Sequence, residues 1–155
     1  MQNQMELTFS ALPQNEAFAR VAIAAFAVQL NPTLPEMADI KTAVSEAVTN
    51  AIVHGYRGRE DGLVRMSAEY GDRRLLTVVI RDEGCGIADV GKAMQPFYST
   101  GDGAERSGMG FCVMQTFMDA VEVDSAVDRG TTVTMRKYIT GEVGLHRERM
   151  LDEIG

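Results

Sequence analysis

The sequence has few of the residues that build disulfide or metal sites. It contains two cysteines, two histidines and no tryptophan among 155 residues. Cys85 and Cys112 form no CxxC pair, and neither has the spacing of a Cys/His zinc ligand set. We therefore expect neither a disulfide framework nor a structural zinc site.

Long apolar runs are also missing. The longest, Val21 to Val28, has eight residues, whereas a membrane-spanning helix needs about 20. The first four residues carry no basic leader. We expect a soluble, cytoplasmic protein that does not contact a membrane.

Positive charge is in deficit, because 22 acidic residues outnumber 15 basic ones and give a formal charge of −7. No basic run is longer than Arg73-Arg74 or Arg136-Lys137. A protein whose main partner is a nucleic-acid backbone usually has a basic patch or stripe, so no direct nucleic-acid partner is expected. An apolar fraction of 45% fits one compact domain. We place this domain at residues 1–139 and a polar tail, with the apolar spacing of a frayed helix, at residues 140–155.

Hydrophobic periodicity predicts the element order β-α-α-β-β-loop-α-β-β. This order favours an α/β (α+β) two-layer sandwich, in which a mixed, mostly antiparallel sheet carries three helices on one face. We expect Gly55 to end the second helix in a left-handed conformation. The predicted strands are 5–9, 63–70, 75–80, 121–127 and 131–138, and the predicted helices are 15–30, 36–54 and 108–119.

The second predicted helix has a polar face. Glu46 and Asn50 are four residues apart, so an acid and an amide project from neighbouring turns on the side opposite the apolar residues. A solvated helix surface would give the same pattern. An Asn carbonyl also suits Mg²⁺, and a Glu beside a metal-bound triphosphate could orient or deprotonate an attacking hydroxyl.

Two glycine-containing elements follow. Asp82, Gly84 and Gly86 come directly after a predicted strand, where glycines let the backbone approach a flat ligand and the carboxylate could accept a hydrogen bond from an exocyclic amine. A plain strand-to-loop turn has the same composition. Arg106 and the glycines at 108 and 110 begin the third long helix, whose free N–H groups would face a phosphate.

Other nucleotide and hydrolase motifs do not fit. Residues 84–89 lack the third glycine of a dinucleotide fingerprint, since Asp89 stands there. Residues 86–92 have the spacing of a P-loop, but Ala93 occupies the position of the Mg²⁺-binding Ser or Thr. No G-x-S-x-G elbow is present, and a lone His54 near a helix end is more often structural than catalytic.

Taken together, the motifs resemble the N, G1, G2 and terminal boxes of the GHKL (Bergerat-fold) ATPase superfamily, and within it the serine-kinase anti-sigma branch. The matching segments are 46–55, 82–86, 108–111 and 130–132 for the superfamily, and 15–20, 95–100 and 105–111 for the branch.

This resemblance implies a domain that binds ATP or ADP with Mg²⁺. It implies Glu46 as general base, Asn50 as Mg²⁺ ligand, Asp82 as adenine reader and Thr132 as the neighbour of Asp82 through the base or a water. Arg106, Gly108 and Gly110 would contact phosphates beside the loop of Gly84 and Gly86. Residues 89–107 would form a lid whose conformation depends on the nucleotide.

The resemblance also implies partners: a sporulation sigma factor of the sigma-F type, a serine-bearing anti-anti-sigma factor and a second copy of the chain in a homodimer. Glu16 and Arg20 are the candidate partner contacts, against the alternative of a simple surface ion pair. A nucleotide-gated binding module without significant kinase activity is the alternative function. A sensor histidine kinase fragment is disfavoured because no histidine precedes His54, and a topoisomerase-type ATPase because the basic surface is missing.

Overall fold

The computed structural model describes residues 2–95 and 107–141, and the side chains of residues 107–109 are not described. Among these residues, five strands and three α-helices follow the predicted order, and a fourth, short helix, α3, lies between β3 and α4. The strands are β1 (Asn3–Ser10), β2 (Leu63–Tyr70), β3 (Leu75–Asp82), β4 (Ala120–Ala126) and β5 (Gly130–Tyr138); the helices are α1 (Asn15–Ala27), α2 (Leu34–Thr49), α3 (Val90–Ala93) and α4 (Ser107–Phe117).

The strands form one sheet in the order β1-β2-β3-β5-β4, and each of the four pairings is antiparallel. Side chains alternate along these strands with a period of two. Alternate residues of β2 and β3 are buried under the helices, while their neighbours face the open side of the sheet. The predicted two-layer sandwich is confirmed. The parallel component implied by a mixed sheet is absent from these pairings.

The helices cover one face of the sheet, with α2 packed between α1 and α4. The start of α2 is fixed by a capping box. The Thr33 hydroxyl accepts a hydrogen bond from the backbone N–H of Glu36, and the Glu36 carboxylate accepts one from the backbone N–H of Thr33. The largest fully buried side chains come from both layers and include Ile23, Ile40, Val44, Val48, Met66, Leu76, Val78, Ile80, Met114 and Met135. The functional elements are therefore attached to a continuous core.

The end of the second helix differs from the prediction. After Thr49 the chain continues as a π-helix over Asn50–Gly55, called the π segment below. The expectation of a left-handed Gly55 was wrong, because positive φ angles occur instead at Arg57 (51°) and Gly58 (82°). A π turn contains one residue more than an α turn, so an α-helical wheel no longer gives side-chain directions beyond Asn50.

The C-terminal end of the described chain is tied to the start of α2. Glu36 accepts hydrogen bonds from the backbone N–H groups of Thr140 (2.8 Å) and Gly141 (3.0 Å). The proposed tail, apart from Thr140 and Gly141, lies outside the described residues. Within residues 2–95 and 107–141, no helix combines the length and the apolar composition needed to cross a membrane.

Candidate nucleotide site

Asn50 is the first residue of the π segment and lies against α4. Its Nδ2 atom is buried and, among the residues that the structure describes, has no hydrogen-bond partner. A Cβ atom added at Gly110 would lie 3.0 Å from Nδ2 and 3.1 Å from Oδ1. A glycine at this position of α4 therefore leaves room for the amide. Because an unpaired buried amide is costly, the arrangement indicates a polar ligand.

Glu46 stands one turn before Asn50 on α2 and is half-buried. The two residues share a helix face, as their four-residue spacing requires. Their main chains are also linked, since the backbone N–H of Asn50 donates to the carbonyl of Glu46. The predicted acid and amide are thus held on one rigid helix end rather than on a loop.

Asp82 closes β3 and is buried, with 6% of its surface exposed. Burial raises the pKa of this carboxyl group, while hydrogen bonds from the backbone of Gly84 and Thr131 act in the opposite direction. The Gly84 N–H donates to Oδ1 at 2.9 Å. The carboxyl group also contacts the end of the π segment, because a Cβ at Gly55 would lie 2.9 Å from Oδ1. Asn50 therefore begins the π segment, and the Asp82 carboxyl group lies against its other end, at Gly55.

The glycine loop, residues 83–87, is fastened to the same π segment. The Cys85 N–H donates to the carbonyl of Gly55 at 2.8 Å, and the Cys85 thiol to that of His54 at 3.2 Å. Gly84 approaches so closely that a Cβ there would lie 2.2 Å from the Gly55 oxygen. Only glycine permits this backbone-to-backbone contact.

A second set of contacts joins the glycine loop to the β4–β5 hairpin. Gly86 has a φ of 73°, and a Cβ there would lie 1.9 Å from the carbonyl oxygen of Ala126. The Ile87 N–H donates to Ser125 Oγ at 2.8 Å, and that hydroxyl also lies 2.8 Å from Thr131 Oγ1. The loop is therefore preorganised on two sides.

The sheet register corrects the prediction for Thr132. Thr131 is directly opposite Asp82, and both are buried on the helix-covered face. Thr132 pairs with Arg81 and Asp124 on the other face of the sheet. The neighbour of Asp82 is therefore Thr131, one residue earlier than predicted.

The remaining phosphate candidates lie at the start of α4. Gly108 is in the first turn of this helix and Gly110 contacts Asn50. Arg106 and residues 96–106 of the predicted lid lie outside the described residues. At the start of that lid, Asp89 caps α3 by accepting from the Lys92 N–H at 3.0 Å.

Glu16 and Arg20 form the ion pair that was the alternative to partner contact, with Oε1 and Nη1 3.4 Å apart. The same Glu16 oxygen also accepts a hydrogen bond from the hydroxyl of Ser45. Ser45 precedes Glu46 on α2, so this pair on α1 is linked to the helix that carries the polar site residues.

Three neighbours of the site were missed by the sequence reasoning: Tyr56, Ser125 and Thr131. Burial lowers the pKa of the His54 imidazole. Its backbone carbonyl, rather than its ring, contacts the glycine loop. A Tyr next to the last glycine of the N-box segment was the one available signal for Tyr56, and its partners could be identified only in three dimensions.

Comparisons with known proteins show the family of this chain. The family model described as "Histidine kinase-like ATPase domain" matches residues 9–137. An anti-sigma F factor of Priestia megaterium is 52% identical over 145 residues, covering 94% of this chain and 99% of that protein. An anti-sigma F factor of Clostridium beijerinckii is 56% identical over 135 residues, covering 87% of this chain and 94% of that protein.

Solved structures share the fold. The RsbU and RsbW domains of a Mycobacterium tuberculosis protein superpose with a TM-score of 0.65 at 17% identity, covering 88% of this chain and 32% of that one. A histidine kinase domain from Erythrobacter litoralis has a TM-score of 0.53 at 19% identity, covering 81% of this chain and 61% of that one. The chain belongs to the histidine kinase-like ATPase domain family of the GHKL type and, within it, to the anti-sigma F factors. A domain of this type implies nucleotide binding.

Proposed function

We propose that this protein is an anti-sigma factor and a protein serine kinase, which binds a sigma factor of the F type and phosphorylates a serine of an anti-anti-sigma factor with Mg-ATP. The observation that carries the nucleotide part is the buried Nδ2 atom of Asn50, which has no hydrogen-bond partner among residues 2–95 and 107–141, at one end of the π segment, with the buried carboxyl group of Asp82 at the other. Names of relatives support the sigma-factor part.

The adenine base would bind at the Asp82 end. A carboxylate accepts the hydrogen bonds of an exocyclic amine, and the glycine loop beside Asp82 is held in place by close backbone contacts of Gly84 with Gly55 and of Gly86 with Ala126. Thr131, opposite Asp82, supplies a hydroxyl that is already linked to Ser125. Several anchors fix this end of the pocket, so little reorganisation is needed when the base enters.

The triphosphate would extend toward Asn50 and the start of α4. Mg²⁺ usually keeps several waters and is held by few protein groups plus substrate phosphates, which a single amide oxygen on Asn50 fits. Within residues 2–95 and 107–141, no group of three or more His, Cys, Asp or Glu side chains could hold a metal ion by itself. Bound there, the ion would offset phosphate charge. The N-terminal N–H groups of α4, with Gly108 and Gly110, and Arg106 complete the phosphate contacts.

Glu46 is the proposed general base. It would accept the proton of the serine hydroxyl while the serine oxygen forms a bond to the γ-phosphorus and the bond to the β-γ bridging oxygen breaks, releasing ADP. Phosphoryl transfer needs positioning and charge stabilisation more than covalent work from the protein, so one carboxylate beside the metal ligand suffices.

Partner choice would follow the nucleotide. In this proposal Glu16 and Arg20 contact the sigma factor, the active form is a homodimer, and residues 89–107 change conformation between ATP and ADP. The hydrogen bond from Ser45 to Glu16 supports a link between the nucleotide helix and that surface.

The test is Glu46→Gln. The variant should bind ATP and sigma factor within about twofold of wild type, because shape and hydrogen bonding at the site are nearly kept. It should lose at least ~100-fold in phosphate transfer, the typical loss when a general base is removed. Incubation with labelled ATP and anti-anti-sigma protein, followed by mass spectrometry for phosphoserine, measures the transfer.

Glu60→Gln is the matched control, because Glu60 is exposed in the turn region before β2. It should behave like wild type. Transfer at the wild-type rate by the Glu46→Gln variant would remove Glu46 from the mechanism. Absence of transfer by the wild-type chain, with ATP bound, would favour the nucleotide-gated binding module.

A further inference from the structure

Tyr56 makes two hydrogen bonds at the point where strands β2 and β3 separate. Its ring is buried, with 4% of the residue exposed. The hydroxyl donates to the carbonyl of Leu63 at 2.6 Å and accepts from the N–H of Glu83 at 2.7 Å. The ring is held by the backbone of Gly62, where a Cβ would lie 2.5 Å from Cδ1. This hydroxyl therefore has a fixed position and both partners.

The register explains what the hydroxyl does there. The last pair of the β2–β3 ladder joins Val64 to Asp82, so Leu63 and Glu83 would form the next pair. Instead of a direct bond between them, the Tyr56 oxygen is inserted between the Leu63 carbonyl and the Glu83 N–H. The two strands are held apart by one hydroxyl group.

The insertion sets the course of the glycine loop. Glu83 directly follows Asp82, and two residues later Cys85 must reach the Gly55 carbonyl. Tyr56 directly follows the π segment that provides that carbonyl, and its backbone N–H donates to the carbonyl of Ala51 at 3.0 Å. One side chain thus connects the π segment, the end of β2 and the residue after Asp82.

We propose that Tyr56 is a positioning residue for the adenine end of the nucleotide site: its hydroxyl keeps the β2–β3 ladder from closing by one further pair and so directs the glycine loop toward the π segment. The inference rests on the proposed nucleotide site. Without the hydroxyl, Glu83 and Leu63 can pair directly, and the glycine loop shifts away from Gly55.

The test compares Tyr56→Phe with Tyr70→Phe. Tyr70 is a matched control because its hydroxyl also makes two hydrogen bonds, to Asn3 and Gln29, at the opposite end of β2. Calorimetry should show that Tyr56→Phe binds ATP and ADP with about tenfold lower affinity, the size expected for one misplaced hydrogen-bonding group. Both nucleotides should be affected alike, because they share the adenine base. Tyr70→Phe should stay within about twofold of wild type.

A second readout needs no nucleotide. Hydrogen exchange at the Cys85 amide, which bonds to Gly55, should accelerate in Tyr56→Phe and not in Tyr70→Phe. Normal affinity in Tyr56→Phe, or equal losses in both variants, would overturn the inference while leaving the nucleotide site intact. If the wild-type chain binds neither ATP nor ADP, the proposed function fails and the inference with it.

Discussion

At the scale of single residues, the proposed binding role of Asp82 conflicts with its effect on stability. Its folded-state pKa is raised by burial, above the value of 3.8 expected for an exposed Asp. The folded state therefore binds this proton more tightly than the unfolded state does. The resulting contribution to stability is present below pH 3.8 and is lost as pH rises through the folded pKa. At neutral pH the burial of the Asp82 carboxyl group therefore lowers the free energy of unfolding.

Asp82→Asn is expected to raise the free energy of unfolding at pH 7 by about 0.5–2 kcal/mol while abolishing measurable ATP binding. The amide can still accept from the Gly84 N–H, but it carries no buried charge and offers an adenine amine one acceptor fewer. Urea unfolding and calorimetry measure the two effects. The stability gain should shrink toward pH 3, where the wild-type carboxyl group is protonated.

Asp124→Asn is the control for this substitution, because Asp124 is exposed on the other face of the sheet. It should change neither quantity. A destabilised Asp82→Asn variant would contradict the idea that the carboxylate is retained for binding.

At the scale of elements, two glycines with positive φ have different surroundings: Gly86 in the glycine loop, and Gly58 between the π segment and β2. Gly86 and Gly58 have similar positive φ angles, 73° and 82°, so alanine at either position strains the backbone. Their surroundings differ. A Cβ at Gly58 would meet nothing within 4 Å, whereas one at Gly86 would lie 1.9 Å from the Ala126 oxygen.

Gly58→Ala should therefore cost about 1 kcal/mol, the cost of the left-handed conformation alone. Gly86→Ala should cost more than ~3 kcal/mol or move the loop off the hairpin, with loss of nucleotide binding. Thermal unfolding with calorimetry would compare the two variants. Equal, small losses would show that the loop can move away from Ala126 freely.

The elements were largely predictable because their signals are local. Period-two segments placed β2 at its observed bounds, and β3 and β5 within two residues. The π segment was not predictable, since α and π turns differ by one residue and share the same apolar spacing over so short a stretch. The order of the strands in the sheet was not predictable either, because it depends on contacts between residues far apart in sequence.

The site was predicted in part. The structure brings Asn50 beside Gly110, and Asp82 beside the π segment, from residues chosen by type and spacing. Thr132 was one residue out because a single-residue shift in a strand exchanges its two faces. Tyr56 escaped notice because its role lies in a gap between two strands that no periodicity marks.

At the scale of the whole molecule, Glu36 joins the start of α2 to the end of the described chain. Burial acts to raise its pKa, but hydrogen bonds from Thr33, Thr140 and Gly141 outweigh it and lower the pKa to about 2 from 4.5. The carboxylate therefore stabilises the fold above pH 4.5, and this contribution disappears as pH falls toward 2.

Glu36→Gln should remove part of the acid sensitivity of this protein. At pH 7 we expect a loss of about 1 kcal/mol, since charged hydrogen bonds become neutral ones. The difference from wild type should vanish between pH 4.5 and 2, where wild-type Glu36 becomes protonated. Urea midpoints over this range measure it, with Glu60→Gln as the exposed control. A constant difference at all pH values would point to packing instead of charge.

The π segment has a consequence for how the chain can vary. Asn50 faces α4, and five positions later Gly55 must offer its carbonyl to Cys85 and leave space for Asp82. Removing one residue between them would change the direction of that carbonyl around the helix axis. Substitutions at the intervening positions keep the interval, whereas insertions and deletions do not. Length, more than composition, is the quantity that we expect this stretch to keep.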